Sequence, residues 1–182
     1  MNKTQSNAMT DFVKPIAVLV IICAVMSLLL GFTNQVTAPI IAEAEAEAER
    51  QAQIEVLPSA DSFIQAELAG MPESVTKACA AENGTGWVFS LTAQGYGGKG
   101  TLKMAVGIDM DGKITGVKVL SHKETAGLGS KITSDANFYG QFPGLDAEGA
   151  ANADTISGAT FSSRYYKAAI ADAFTAFGMV TG

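Results

Sequence analysis

Gly86 to Leu120 reads GWVFSLTAQGYGGKGTLKMAVGIDMDGKITGVKVL, and the period of its apolar residues decides the fold. Trp87, Phe89 and Leu91 alternate with Val88, Ser90 and Thr92, and Leu102, Met104, Val106 and Ile108 alternate with Lys103, Ala105, Gly107 and Asp109. Successive side chains of an extended chain point to opposite faces, so both stretches read as strands. Gln94 to Gly100 joins them, Asp111-Gly112 supplies a hairpin signal, and Ile114 to Leu120 reads as the next strand, which predicts an antiparallel meander. Ser121 to Gly129 reads as a loop and Ile132 to Phe142 as an irregular or helical stretch. From Phe161 to Phe177 the period lengthens: Tyr166, Ile170, Phe174 and Phe177 are spaced by four, four and three residues, one face of a helix. The expected domain is α+β, an antiparallel sheet packed with helices.

Upstream, Pro15 to Phe32 (PIAVLVIICAVMSLLLGF) runs for 18 residues without a charge. At a rise of roughly 1.5 Å per residue it spans about 27 Å, close to a bilayer core. No charge follows until Glu43, so the helix has room to continue past Asn34 and Gln35. A buried helix in a domain of this size is seldom apolar all round. A cleaved signal, for which Val36-Thr37-Ala38 would be the cleavage site, has an apolar core of only about 7–15 residues. Cys23 follows Ile21-Ile22 rather than the small residues that precede a lipidated cysteine. A single retained N-terminal transmembrane helix over 15–36 is therefore expected. Lys3 and Lys14 precede it, whereas Glu43, Glu45, Glu47 and Glu49 come before the next basic residue, Arg50. The positive-inside rule then keeps residues 1–14 cytoplasmic and puts the chain from about Thr37 outside the plasma (inner) membrane.

Ala42 to Arg50 alternates Ala and Glu, which favours helix and leaves no broad apolar face. It reads as a solvated helical stalk over 37–57, with a disordered linker as the competing reading. Pro58 and Pro72 bracket a segment expected to pack loosely on a domain covering 58–182. The net charge of -6 gives no electrostatic footprint for nucleic acid and disfavours anionic lipid surfaces. Cys23 and Cys79 fall in different environments, so no internal disulfide is expected. Cys79 reads as a small, partly buried residue and the lone His122 as a solvated loop residue; nothing has metal-site spacing.

Asp154 to Thr160 (DTISGAT) ends in a hydroxyl at the mouth of the C-terminal helix, where unpaired amides and the positive dipole end favour a phosphate. Ser157 and Thr160 are also ordinary helix-capping residue types. A second segment, Glu124-Thr125-Ala126-Gly127-Leu128-Gly129, reads by itself as a turn whose glycines allow close backbone approach. Lys123 and Lys131 flank it and read either as solvated surface residues or as groups that screen phosphate charge.

Together the GYGG turn, the ETAGLG loop, the ISGAT segment and the N-terminal anchor resemble the FMN-binding domain family from about Ile54 to Phe177. Within it the chain is most similar to the G subunits of Rnf ferredoxin:NAD⁺ oxidoreductases; the C subunits of the Na⁺-pumping NADH:quinone oxidoreductases share the motifs but are usually longer. Ser157-Gly158-Ala159-Thr160 resembles the S/T-G-A-T signature, which implies FMN carried as a phosphoester on Thr160, with Gly158 and Ala159 small enough for a modifying enzyme to approach. A threonine hydroxyl is a poor nucleophile, so the loading implied is by a separate flavin transferase. That enzyme would use FAD and a divalent metal such as Mg²⁺ and recognise Asp154. The family often has proline where Ala126 stands. The resemblance implies that backbone approaches the flat flavin ring at Gly127 and Gly129, with Leu128 in apolar contact and Glu124 or Thr125 in polar contact with the ring edge, and it sets Tyr96 in a structural turn near the flavin. The implied activity is a one-electron relay between neighbouring membrane subunits of an ion-translocating complex, without a substrate of its own. A stand-alone membrane-anchored FMN carrier, or a binding module that has kept the fold, stays open.

Overall fold

The computed structural model of the chain describes residues 3–66 and 70–182. Residues 1 and 2, in the segment expected to be cytoplasmic, and 67–69, within the segment expected to pack loosely, lie outside the described residues. The chain divides into two compact units, the first ending at Ala46 and the second covering Glu47–Gly182.

The first unit belongs to one long helix, α1 (Lys3–Val56), which contains Pro15 and Pro39. Its best window has a mean hydropathy of 2.8, and by length and composition it is long and apolar enough to cross a membrane. Thr33 and Thr37 turn their hydroxyls back to the carbonyls of Leu29 and Thr33, at 2.8 and 2.9 Å, so these polar groups are satisfied within the helix itself.

The second unit is built on a five-stranded antiparallel sheet in chain order: β1 (Phe63–Ala66), β2 (Val75–Ala81), β3 (Gly86–Gly95), β4 (Gly98–Asp109) and β5 (Ile114–His122). Four helices follow: α2 (Lys131–Ser134), α3 (Ala136–Tyr139), α4 (Ala147–Asn152) and α5 (Thr160–Thr181). The register pairs Phe89 with Val106 and Leu91 with Met104, so the apolar set of β3 and β4 shares one face. On that face Phe89, Leu91, Leu102, Met104 and Val106 are buried with Tyr166, Ile170 and Ala173 of α5. Each large side chain removed from water contributes about 1.5–3 kcal/mol, which makes this layer the main source of stability. Phe138 and Phe142 meet the Tyr166 ring, each with centroids 5.1 Å away, and tie α3 and the segment after it to α5.

The other face takes the end of α1. Ala52, Val56 and Leu57 are buried against Ala81, Val88 and Ala105. The stalk expected over 37–57 is therefore not solvated to its end: Glu49, Ala52 and Val56 lie at helical spacing, and that stripe faces the sheet. Glu49 accepts from Ser90 Oγ at 2.7 Å and from Lys77 Nζ at 2.5 Å, and Glu55 accepts from Lys118 Nζ at 2.9 Å. A Cβ at Gly107 would stand 2.4 Å from the Val56 carbonyl oxygen, so the glycine is what lets the helix end approach.

Two further differences from the sequence expectations have local causes. Strand β1 lies within the segment expected to pack loosely, paired to β2, which follows Pro72 and has no counterpart in the sequence reading; β2 (VTKACAA) is mostly small and alanine-rich, without the β-branched pattern that marks a strand, and is held by pairing to β3. The turn between β3 and β4 is only Tyr96-Gly97, since Gly95 pairs with Gly98.

Candidate functional site

The tight β3–β4 hairpin puts Tyr96 at one end of the sheet, and β5 ends at His122 on the same side, because Lys123 N donates to the Thr101 carbonyl at 3.0 Å. The ETAGLG loop then folds on itself. Leu128 N and Ser130 N both donate to the Thr125 carbonyl at 3.2 Å, and Gly127 N donates to Ser130 Oγ at 2.9 Å. Gly127 has φ +75°, the left-handed region that favours glycine. The loop keeps its shape without a proline at Ala126.

On the facing side, Gly158 (φ +81°) closes a turn in which Ala159 N donates to the Ile156 carbonyl at 3.0 Å. Ser163, fully buried, locks this turn: its Oγ accepts from Ile156 N at 3.1 Å and donates to the Ala159 carbonyl at 3.0 Å. Thr160 opens α5 and is exposed. No side chain caps this 22-residue helix at Ala159, and no acidic residue occupies its first turn. The amides that begin a helix have no intrahelical acceptor, so an uncapped start of this kind offers donors and a positive dipole end to an anion.

These pieces enclose a cleft of about 240 Å³. Tyr96 lines it from the hairpin, Glu124, Thr125, Leu128 and Gly129 from the loop, and Gly158, Ala159, Thr160, Phe161 and Ser162 from the turn and helix. Its apolar members stand open to solvent: Tyr96 is 65% exposed, Phe161 61% and Leu128 52%. Glu124 faces inward, accepting from Tyr96 N at 2.8 Å on one oxygen and from the Ser162 hydroxyl on the other. Gly129 leaves room for that carboxylate: a Cβ there would stand 2.4 Å from Glu124 Oε2 and 2.7 Å from Ser162 Oγ, so the contact would have to shift.

Four residues singled out in the sequence stand apart from this cleft. Lys131, Asp154 and Ser157 line a neighbouring depression of about 410 Å³ with Gln141 and Thr155. The Asp154 backbone is fixed by Gln141, whose side chain accepts from Asp154 N at 2.9 Å and donates to its carbonyl at 3.2 Å. Lys123 is exposed and outside the cleft lining. A larger hollow of about 660 Å³ by Ser74, Tyr165 and Asp172 contains none of the motif residues, so volume alone does not mark the site.

Ser162 and Ser163 were legible only as residues following the motif, although serines just inside a helix start are a usable signal for turn and loop bonding. His122 is not a solvated loop residue: it closes β5 half-buried, and its Nδ1 accepts from Glu124 N at 3.3 Å. Cys79 is buried and receives Gln53 Nε2 at 3.5 Å. Burial, reinforced by the Glu49 charge, pushes its thiol up, which keeps it protonated and unreactive.

Residues 95–175, which contain all three cleft segments, match the FMN-binding domain family. The chain is 31% identical over 166 residues to the G subunit of the ion-translocating oxidoreductase complex of Methanosarcina acetivorans, covering 85% of this chain and 88% of that one. The chain belongs to the family of G subunits of ion-translocating oxidoreductase complexes. Within this family it is also 31% identical to the G subunit of the Na⁺-translocating ferredoxin:NAD⁺ oxidoreductase complex of Acetobacterium woodii, over 81% of this chain and 82% of that protein. The corresponding G subunit of Stutzerimonas stutzeri is 33% identical over 69% of this chain, a match that spans only 58% of that longer relative.

Proposed function

We propose that this chain is the electron-relaying subunit of a membrane-bound, ion-translocating ferredoxin:NAD⁺ oxidoreductase, carrying FMN as a phosphoester on Thr160. One observation carries the reading: the hairpin turn, the ETAGLG loop and the SGAT turn, far apart in sequence, line one cleft in which Thr160 is the threonine at an uncapped helix start. The residues fit the group. The free amides of the first turn of α5 would hold a phosphate on Thr160, and the exposed side chains of Leu128, Phe161 and Tyr96 would offer contact to a flat ring. Pockets that bury a whole ligand measure about 300–1,000 Å³. A cleft of about 240 Å³ falls below that range and would suit a cofactor held in part rather than buried whole.

FMN supplies the redox chemistry, which no side chain here provides. The protein's part is attachment at the Thr160 oxygen, backbone freedom at Gly158, and orientation by the loop. Asp154, exposed beside the cleft, is the recognition point for a flavin transferase, and Lys131 lies near enough on the surface to steer its anionic donor. The apolar part of α1 spans the membrane once, with Lys3 and Lys14 on the cytoplasmic side and the flavin domain outside. Other membrane subunits supply the electron donor and acceptor.

Thr160→Ala, expressed with the transferase, is expected to lose the fluorescent flavin band on a denaturing gel while its circular dichroism stays unchanged. Covalent flavin persisting in that variant refutes the attachment. Purification from membranes without co-purifying membrane subunits refutes the complex.

A further inference from the structure

Among the described residues, the Glu124 carboxylate is the one side chain whose hydrogen bonds join all three segments of the cleft. It sits in the loop, accepts the Tyr96 amide of the hairpin 28 positions away, and accepts the Ser162 hydroxyl of α5 38 positions away. Both flanks are cleared for it: a Cβ at Gly95 would stand 2.6 Å from its Oε1, and one at Gly129 2.4 Å from its Oε2. The arrangement also fixes a negative charge in the cleft lining, against Ser162, which lies two residues along α5 from Thr160.

We infer that Glu124 is a positioning residue of the flavin site, bracketing the hairpin, the loop and the helix start, and that its fixed charge lowers the midpoint potential of the flavin. The second half rests on FMN being carried at Thr160; the first half does not. Adding an electron to a flavin beside a carboxylate is opposed by their repulsion, and in a partly dehydrated cleft that repulsion is stronger than in water.

Glu124→Gln separates shape from charge. The amide oxygen still accepts from Tyr96 N, and the amide NH₂ donates to Ser162 Oγ, which turns to accept. Glu124→Ala removes both contacts. The measurements on the full-length protein are covalent flavin per chain, the midpoint potential by spectroelectrochemical titration, and hydrogen exchange of the Tyr96 amide in protein made without the transferase. In Glu124→Gln, flavin content and Tyr96 protection are expected to stay within about twofold of wild type, while the potential moves positive. In Glu124→Ala, Tyr96 protection is expected to fall at least about tenfold, as loss of a hydrogen bond to a charged group implies. Ser162→Ala breaks one arm and keeps the charge, so its potential is expected to stay near that of wild type.

An unshifted potential in Glu124→Gln, or an equal shift in Ser162→Ala, overturns the electrostatic role. Unchanged Tyr96 exchange in Glu124→Ala overturns the bracket. Wild-type protein without covalent flavin would instead overturn the FMN reading, while the exchange data still decide the bracket.

Discussion

The two faces of the sheet are made from alternate residues of the same strands, yet they do opposite work. Toward α5 the strands present Phe89, Leu91, Leu102 and Met104, large side chains that hold the helix off the sheet. At the end of that layer the hairpin, the loop and the helix start converge on a cleft. Toward the end of α1 they present Val88, Ala105 and Gly107, small enough for helix backbone to meet strand backbone. The charged groups there, Glu49 and Lys77, are paired to each other rather than directed into a cleft. A layer of large side chains leaves space at its rim, where loops can build a site; a layer of small ones closes into a joint.

The sharpest test of this division on the cleft side sets two glycines of one loop against each other. Gly129→Val drives a side chain into the Glu124–Ser162 contact and is expected to reduce covalent flavin by about tenfold or more, read by in-gel fluorescence. A Cβ at Gly127 meets nothing within 4 Å, so Gly127→Ala is penalised mainly by the left-handed backbone, about 1–2 kcal/mol, and most of the loading is expected to survive. Equal losses in the two variants would mean that the bracket around Glu124 does not organise the cleft.

On the joint side, Gly107→Ala places a Cβ against the Val56 carbonyl. It is expected to destabilise the domain by about 1–3 kcal/mol in urea unfolding and to leave the flavin spectrum and potential at wild-type values. A change of potential in that variant would break the separation of the two faces. Ser163→Ala makes the converse comparison beneath the cleft. It strands the buried Ile156 amide, with an expected loss of about 1–3 kcal/mol and, unlike Gly107→Ala, slower loading by the transferase.

Much of this was legible in the sequence. The period of two marked β3 and β4 because one face of each is uniformly large and apolar, the Asp111-Gly112 hairpin signal pointed to β5, and the period near 3.6 marked one apolar face of α5. The unbroken apolar run from Pro15 to Phe32 marked the stretch of α1 capable of crossing a membrane. Strand β2 escaped because its alanines are small enough to pack on either layer and carry no periodic signal. The joint escaped because an Ala-Glu repeat looks solvated all round; only the fold reveals that Glu49 meets Lys77 and Ser90. The inward direction of Glu124 was hidden too, since its partners lie in other segments and no local pattern encodes the register that brings them together.

The smallest effect expected is a pH dependence at the joint. Burial alone would raise the Glu49 carboxyl, but hydrogen bonds from Lys77 and Ser90 and the charges of Lys77 and Lys103 outweigh it, and the net direction is down from 4.5. A carboxyl lowered by folding contributes stability above its unfolded value and loses it as pH falls through the folded one. Stability is therefore expected to decline on acidification below about 4.5, and Glu49→Gln to lose less of it over that range, measured by urea unfolding at stepped pH. The flavin potential is not expected to follow this titration.

The attachment of FMN is tested most directly by peptide mass spectrometry of the protein purified from its native membranes with its partners. The account predicts one flavin mononucleotide on the peptide spanning the SGAT turn, with fragmentation assigning it to Thr160 and not to Ser157, Ser162 or Ser163. Flavin mapped to another residue, or Thr160 wholly unmodified in membranes that contain an active flavin transferase, would contradict it.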